Sequence, residues 1–273
     1  MRKPTESSMY FDKVQPKERQ LLALLDAIDA NPSSFQQSIE ERIAMFTPPG
    51  SDLHLEGYVV AGGDGGGYAF GGTDFFLNIG FNDDLLLAKS TTMHEMYHAV
   101  QGAFAADRGV KMDSAKGDAR RSYVETEQLF ANLYEEGSAM YVGQPGLILP
   151  QSNSPTAARM LADINDGMSH LHNSSTLLEM SVVALSAGQS VPYDDVYDVG
   201  FFGHGVLYDI AYEMARDIVD ANGPQGLAEF LKQPPYRFVL RYRQLSKYGK
   251  DDAHPRLGEN TVSAAERLAN GYR

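Results

Sequence analysis

Apolar residues recur at helical spacing through the first fifty positions. Leu21, Leu22, Leu24, Leu25 and Ile28 mark one helix over residues 16–30, and Phe35, Ile39, Ile43 and Phe46 mark a second over 33–46. Beyond residue 53 the period shortens to that of strands. Two β-type runs, 57–61 and 75–79, flank a cluster of glycines at 62, 63, 65, 66 and 67, which predicts a small sheet with a loop or hairpin. No Lys-Ser or Lys-Thr pair follows these glycines and no helix opens directly behind them, so they are expected to serve turns rather than to cradle phosphate. Helical spacing resumes after Asn82-Asp83-Asp84, an acidic start suited to a helix N-terminus, and runs to about Phe104. Further helices are predicted over 122–142, 155–171, 203–222, 225–232, near 237–248 and near 263–270. The fold class that follows is α+β, predominantly helical, with a small β-sheet ahead of the helix at 82–104.

Composition narrows the function classes. Of the 273 residues 43% are hydrophobic, enough for a sizeable core. The formal net charge of −13 and the lack of long Lys/Arg runs leave no positive field to neutralise phosphates, so neither nucleic acid nor an anionic membrane is an expected partner. The longest apolar runs, 85–88 and 238–240, fall far short of the roughly 20 residues of a membrane span, which predicts a soluble protein. There is no cysteine, so a metal would have to be held by His, Asp or Glu. The N-terminal stretch has a signal peptide's positive charge without its apolar segment. Localisation therefore stays unknown: cytoplasmic as written, or exported if a leader has been removed.

His94-Glu95-Met96-Tyr97-His98 fits H-E-x-x-H. Residues four apart on a helix share a face with Cβ atoms about 5–6 Å apart, so both imidazoles can reach one ion. Zinc takes His nitrogens at about 2.0–2.1 Å, and a catalytic site needs three protein ligands and a position for water. Glu95 is placed beside the metal, where it can take a proton from water and later donate one to a leaving amine. An apolar stripe of Met93, Tyr97, Val100 and Phe104 puts the motif inside a real helix.

The third ligand is not a histidine of the extended motif, since that needs Gly at 101 and His at 104 where this chain has Gln101 and Phe104. The segment 129–142 offers Glu135 and Glu136. Glu136 shares a stripe with Leu129, Leu133 and Met140, so it is expected to face inward, with Glu135 turned outward or behind the ligands. Gly137 and Ala139 would allow this helix to approach the motif helix closely.

His94-Glu95-Met96-Tyr97-His98 together with Glu136-Gly137-Ser138-Ala139 resembles the gluzincin metallopeptidases, especially their compact bacterial families, over roughly residues 74–142. The resemblance implies one zinc ion held by His94, His98 and Glu136, and a cleft with the sheet and metal helix on one side and the C-terminal helices on the other. It also implies that the strand before the metal helix, with Phe76, Leu77, Asn78 and Ile79, forms an edge on which an extended peptide lies. Tyr197-Asp198-Val199-Gly200 is similar to a Tyr-x-x-Gly stretch of these families, and Tyr197 or His204 could donate to an oxyanion. The remaining candidates carry less. His170 and His172, two apart, face differently on a helix, while His54 and His254 have no evident partner. The pairs Asp83-Asp84, Asp194-Asp195 and Asp251-Asp252 read as solvated turn residues.

The expected organisation is one domain over 1–273: N-terminal helices at 1–50, the small sheet and metal-binding helices at 51–143, and a helical lobe at 144–273. The expected function is that of a zinc-dependent hydrolase, most simply a metallopeptidase acting on a peptide or protein. The alternatives are a zinc hydrolase of another amide and a silent zinc-stabilised binding protein, which an intact Glu95 disfavours. Oligomeric state is not legible.

Overall fold

Two amphipathic helices, α1 (Glu18–Ala30) and α2 (Pro32–Met45), follow a short helical turn at Phe11–Val14. Asn31 starts α2 by accepting a hydrogen bond from Ser34 N, with Pro32 at the first helical position, where its missing N–H costs nothing. This is a computed structural model that describes residues 9–108, 117–186, 191–202 and 205–271. Three strands come next, β1 (Glu56–Val60), β2 (Gly67–Ala69) and β3 (Asp74–Asn78), in the order β1-β3-β2. β1 runs parallel to β3, and β2 runs antiparallel to it.

Helix α3 (Leu85–Ala103) carries the H-E-x-x-H motif. Asp84 caps it, its carboxylate accepting from Leu87 N at 2.7 Å, which satisfies a donor the helix cannot use internally. Beyond it lie α4 (Asp118–Gly143), α5 (Pro155–Ser169), α6 (Leu171–Ser186), α7 (Tyr193–Gly200), α8 (Val206–Ala228), α9 (Tyr236–Arg243) and α10 (Glu259–Ala269). Among the described residues no helix is long and apolar enough to cross a membrane.

The chain forms two compact units. The first comprises Met1–Phe104 and Tyr141–Asp163. Its core joins Val14, Leu21, Leu24, Leu77, Ile79 and Ala88, so α1, the end of β3 and the start of α3 share one apolar contact. Burying each such Leu or Ile stabilises by roughly 1.5–3 kcal/mol. The second unit comprises Ala105–Met140 and Ile164–Arg273. Tyr134, Phe230 and Phe238 pack ring against ring at 5.6–5.9 Å in its interior. Helix α8 packs on α6, and α10 on α6 and α9.

Helix α7, which was not predicted, takes in Asp194-Asp195 where a solvated turn was expected, and two further features depart from the sequence expectation. Helix α6 was not predicted, because its buried face alternates Leu171, Leu178, Val182 and Leu185 with Ser174, Ser175 and Ser181. Small serines let helices pack closely but erase the apolar signal. The second departure is a correction. The strand expected to be a substrate edge, with Phe76, Leu77, Asn78 and Ile79, lies at the centre of the sheet, paired with β1 over Asp74–Asn78 and with β2 over Phe75–Leu77. Its ladder groups are already used, and Ile79 N also donates to Val60 O. No peptide can be added there; the edge on that side is β2, whose three residues were too few to register as a strand.

Candidate metal centre

The apolar stripe of α3, Met93, Tyr97, Val100 and Phe104, is buried as predicted. It fixes the helix's rotation, so that His94, Glu95 and His98 emerge together on a half-buried face. Nε2 of His94 and Nε2 of His98 stand 3.0 Å apart, with the rings at 80° to each other. Nδ1 of His98 lies 2.7 Å from Oε1 of Gln101. An amide oxygen can only accept, so Nδ1 carries the proton and the Nε2 lone pair points toward His94.

The last turn of α4 is fastened to α3. Ser90 Oγ donates to Gly143 O at 2.8 Å, and a Cβ on Gly143 would come 3.1 Å from Ser90 O and 3.5 Å from the His94 Cβ. Arg42 donates to the Tyr141 and Val142 carbonyls and lies over the Phe46 ring, closing the C-terminal end of the same helix. Glu136 precedes Gly143 by two helical turns and so shares its face. One ring nitrogen from each histidine and one carboxylate oxygen of Glu136 lie within 4.8 Å of one another. Glu135 is turned to Arg108, at 2.6 Å, and is not among these groups.

This donor set fits zinc. Two nitrogens each about 2.0–2.1 Å from a tetrahedral ion stand about 3.3 Å apart, close to the 3.0 Å found between the imidazoles. The outer partner Gln101 fixes the tautomer that a ligand needs.

Glu95 lies against β2. A Cβ built on Gly67 would overlap its Cγ and Cδ, so only glycine lets the carboxylate lie against the strand. Four residues beyond the motif, Gly102 is crossed just as closely by the Gly71–Gly72 backbone, where a Cβ would sit 2.8 Å from Gly71 O. In the second unit, burial and then the Glu136 carboxylate hold the Tyr197 hydroxyl above its ordinary value, so it stays a proton donor. Its ring stacks on Phe201 at 5.5 Å. His204 lies outside the described residues.

Residues 2–251 match the model of a family described as "Putative zinc dependent peptidase (DUF5700)". The chain belongs to this family. No curated protein and no solved structure matches it. The description of DUF5700 agrees with a donor set of two imidazoles and a carboxylate, and it covers every residue of that set.

Three contributors to this candidate site were missed in the sequence. Gln101 was read only as the absence of glycine. Asn78 and Asn82 are the others, both buried. The Asn78 amide donates to Gly62 O and Gly65 O and accepts from Gly62 N and Gly80 N, while Asn82 donates to Gly66 O and accepts from Thr91 of α3. Together they fold the glycine loop onto the motif helix. The nearby acidic pair also does more than face water: Asp83 accepts from Ser154 and Thr156, and Asp84 from Ser152. An asparagine at the end of a strand and another four residues later form a turn-like pattern that carries no such signal by itself.

Proposed function

We propose that the chain is a gluzincin-type peptidase with one zinc ion held at His94, His98 and Glu136. The observation that carries the reading is the convergence of their three ligand atoms, with the His98 tautomer set by Gln101. Bound there, zinc would polarise a scissile carbonyl and acidify a water molecule. Glu95 takes the proton of the attacking water and returns it to the leaving amine. The Tyr197 hydroxyl donates to the oxyanion, with His204 as the other candidate. The substrate extends along β2 instead of β3, because Gly67 brings that edge against Glu95.

The test is hydrolysis of a quenched-peptide library by wild type, Glu95→Gln and His98→Ala. Glu95→Gln should keep its zinc and lose roughly 10²–10⁴-fold in turnover, since the amide preserves shape but takes no proton. His98→Ala should lose activity together with the metal at this centre. Turnover unchanged in Glu95→Gln would refute the mechanism.

A further inference from the structure

The second unit contains another set of metal-type ligands, which shares no residue with the centre above. Glu213 and Asp217 stand four apart on α8 and therefore on one face, and both are buried, at 0% and 1% exposure. His254 reaches the same point from the loop after α9. Its ring is held rigidly: Nδ1 lies 2.6 Å from Asp251 Oδ1, the His254 backbone N–H donates to the same carboxylate, and Gly249 N donates to His254 O. A carboxylate accepts, so Nδ1 carries a proton and Nε2 is the nitrogen left to meet a metal.

Nε2 faces two carboxylates, Asp217 Oδ1 at 3.5 Å and Glu213 Oε1 at 4.0 Å. Such distances are too long for hydrogen bonds and close to the separation of two ligands on one ion. One ligand atom from each of the three residues lies within 4.8 Å of the others. A separate observation also points to a missing positive group. Asp217 Oδ2 is buried and accepts no hydrogen bond among the described residues, an expensive state for a carboxylate oxygen.

Charge adds a third argument. Among the described residues, the carboxylates of Glu213, Asp217, Asp220 and Asp251 meet two fixed cations. Arg216 lies 2.5 Å from Glu213, and Lys247 lies 3.3 Å from Asp217 and 3.0 Å from Asp220. Carboxylates outnumber the fixed cations here, and a divalent cation among them would offset that excess.

We propose that Glu213, Asp217 and His254 bind a divalent transition-metal ion, zinc being the best match to one imidazole and two carboxylates. Asp251 supplies the outer carboxylate that orients the histidine, as is usual behind a metal-bound imidazole. The ion fastens the loop between α9 and α10 to α8. Its role is structural.

The test uses the full chain carrying His94→Ala and His98→Ala, so that metal at the other centre does not count. Equilibrium dialysis against micromolar zinc should find one equivalent per chain, and zinc should raise the Tm. Adding His254→Gln should remove both effects. No bound zinc in the double variant, or an equivalent that survives His254→Gln, overturns the proposal. Circular dichroism checks that the variants fold. If one does not, anomalous scattering at the zinc edge from zinc-soaked crystals of the unaltered chain decides, with a peak among these three side chains expected and its absence there overturning the site.

Discussion

At the scale of single residues, the candidate metal centre depends on a hydrogen bond that the motif does not contain. Gln101 is buried, and its amide oxygen accepts from Nδ1 of His98. Replacing it by leucine keeps the apolar packing but frees the tautomer. Gln101→Leu should weaken zinc binding about 10–100-fold, and Gln101→Glu should restore most of it. Competition with a coloured chelator, in a His254→Gln background, measures this; a Leu variant that holds zinc as tightly as its parent would contradict the tautomer argument. His94, Glu95 and His98 were legible because their chemistry is written in a spacing of four. Gln101 was not, since glutamine at a helical position usually signifies nothing beyond a good helix former.

At the scale of elements, the readable features were those with local causes. Asp84 caps α3 as its acidic position implied, and the break expected between residues 222 and 225 is there, with Gly223 at φ 71° ahead of Pro224 inside α8. Strand order was not readable, because pairing is decided by partners distant in sequence, and so β3 was taken for an edge. A long-range cap was equally hidden. Glu179 of α6 accepts from the backbone N–H and side chain of both Asn260 and Thr261, anchoring the first turn of α10. Burial pushes its pKa up, but these four hydrogen bonds outweigh that and hold it below the usual range. The stability it gives is therefore present above the ordinary carboxylate range and is lost as pH falls through the lowered value. Glu179→Gln should destabilise by about 1 kcal/mol at pH 7, as loss of a helix cap does, and by much less at pH 3. Urea unfolding at the two pH values tests it; an equal loss at both would show that charge is not involved.

At the scale of the whole molecule, acidity works against the fold as pH rises. Burial pushes Glu127 to about 7, and Asp209 to about 7 with help from Asp166. Each folded pKa exceeds its unfolded one, so the contribution is full below the ordinary carboxylate range and is lost as pH climbs through about 7. The net charge of −13 adds self-repulsion over the same interval. Stability is expected to be greater near pH 5.5 than near pH 8, the reverse of ordinary acid denaturation in that range. Glu127→Gln should recover about 1 kcal/mol at pH 8, after allowance for solvent screening of a half-exposed group, and almost nothing at pH 4. Denaturant midpoints across the series decide; a variant with no gain at pH 8 would leave Glu127 uninvolved. None of this was visible in the sequence, where Glu127 is one carboxylate among many and its burial depends on tertiary packing. The metal helix was visible, because one turn and its repeat suffice to define it.

The crossing of Gly71 and Gly72 over Gly102 bears on heredity. Every base change in that codon that alters the amino acid introduces a side chain into backbone oxygen, with no flexible group that can yield. Position 102 should therefore stand empty in a library of all single substitutions selected for folded protein, while Gly50 and Gly71, which have open space around them, fail only through their positive φ and should admit asparagine. Descent would then have kept a glycine one residue past Gln101 for reasons unrelated to the chemistry of the motif beside it.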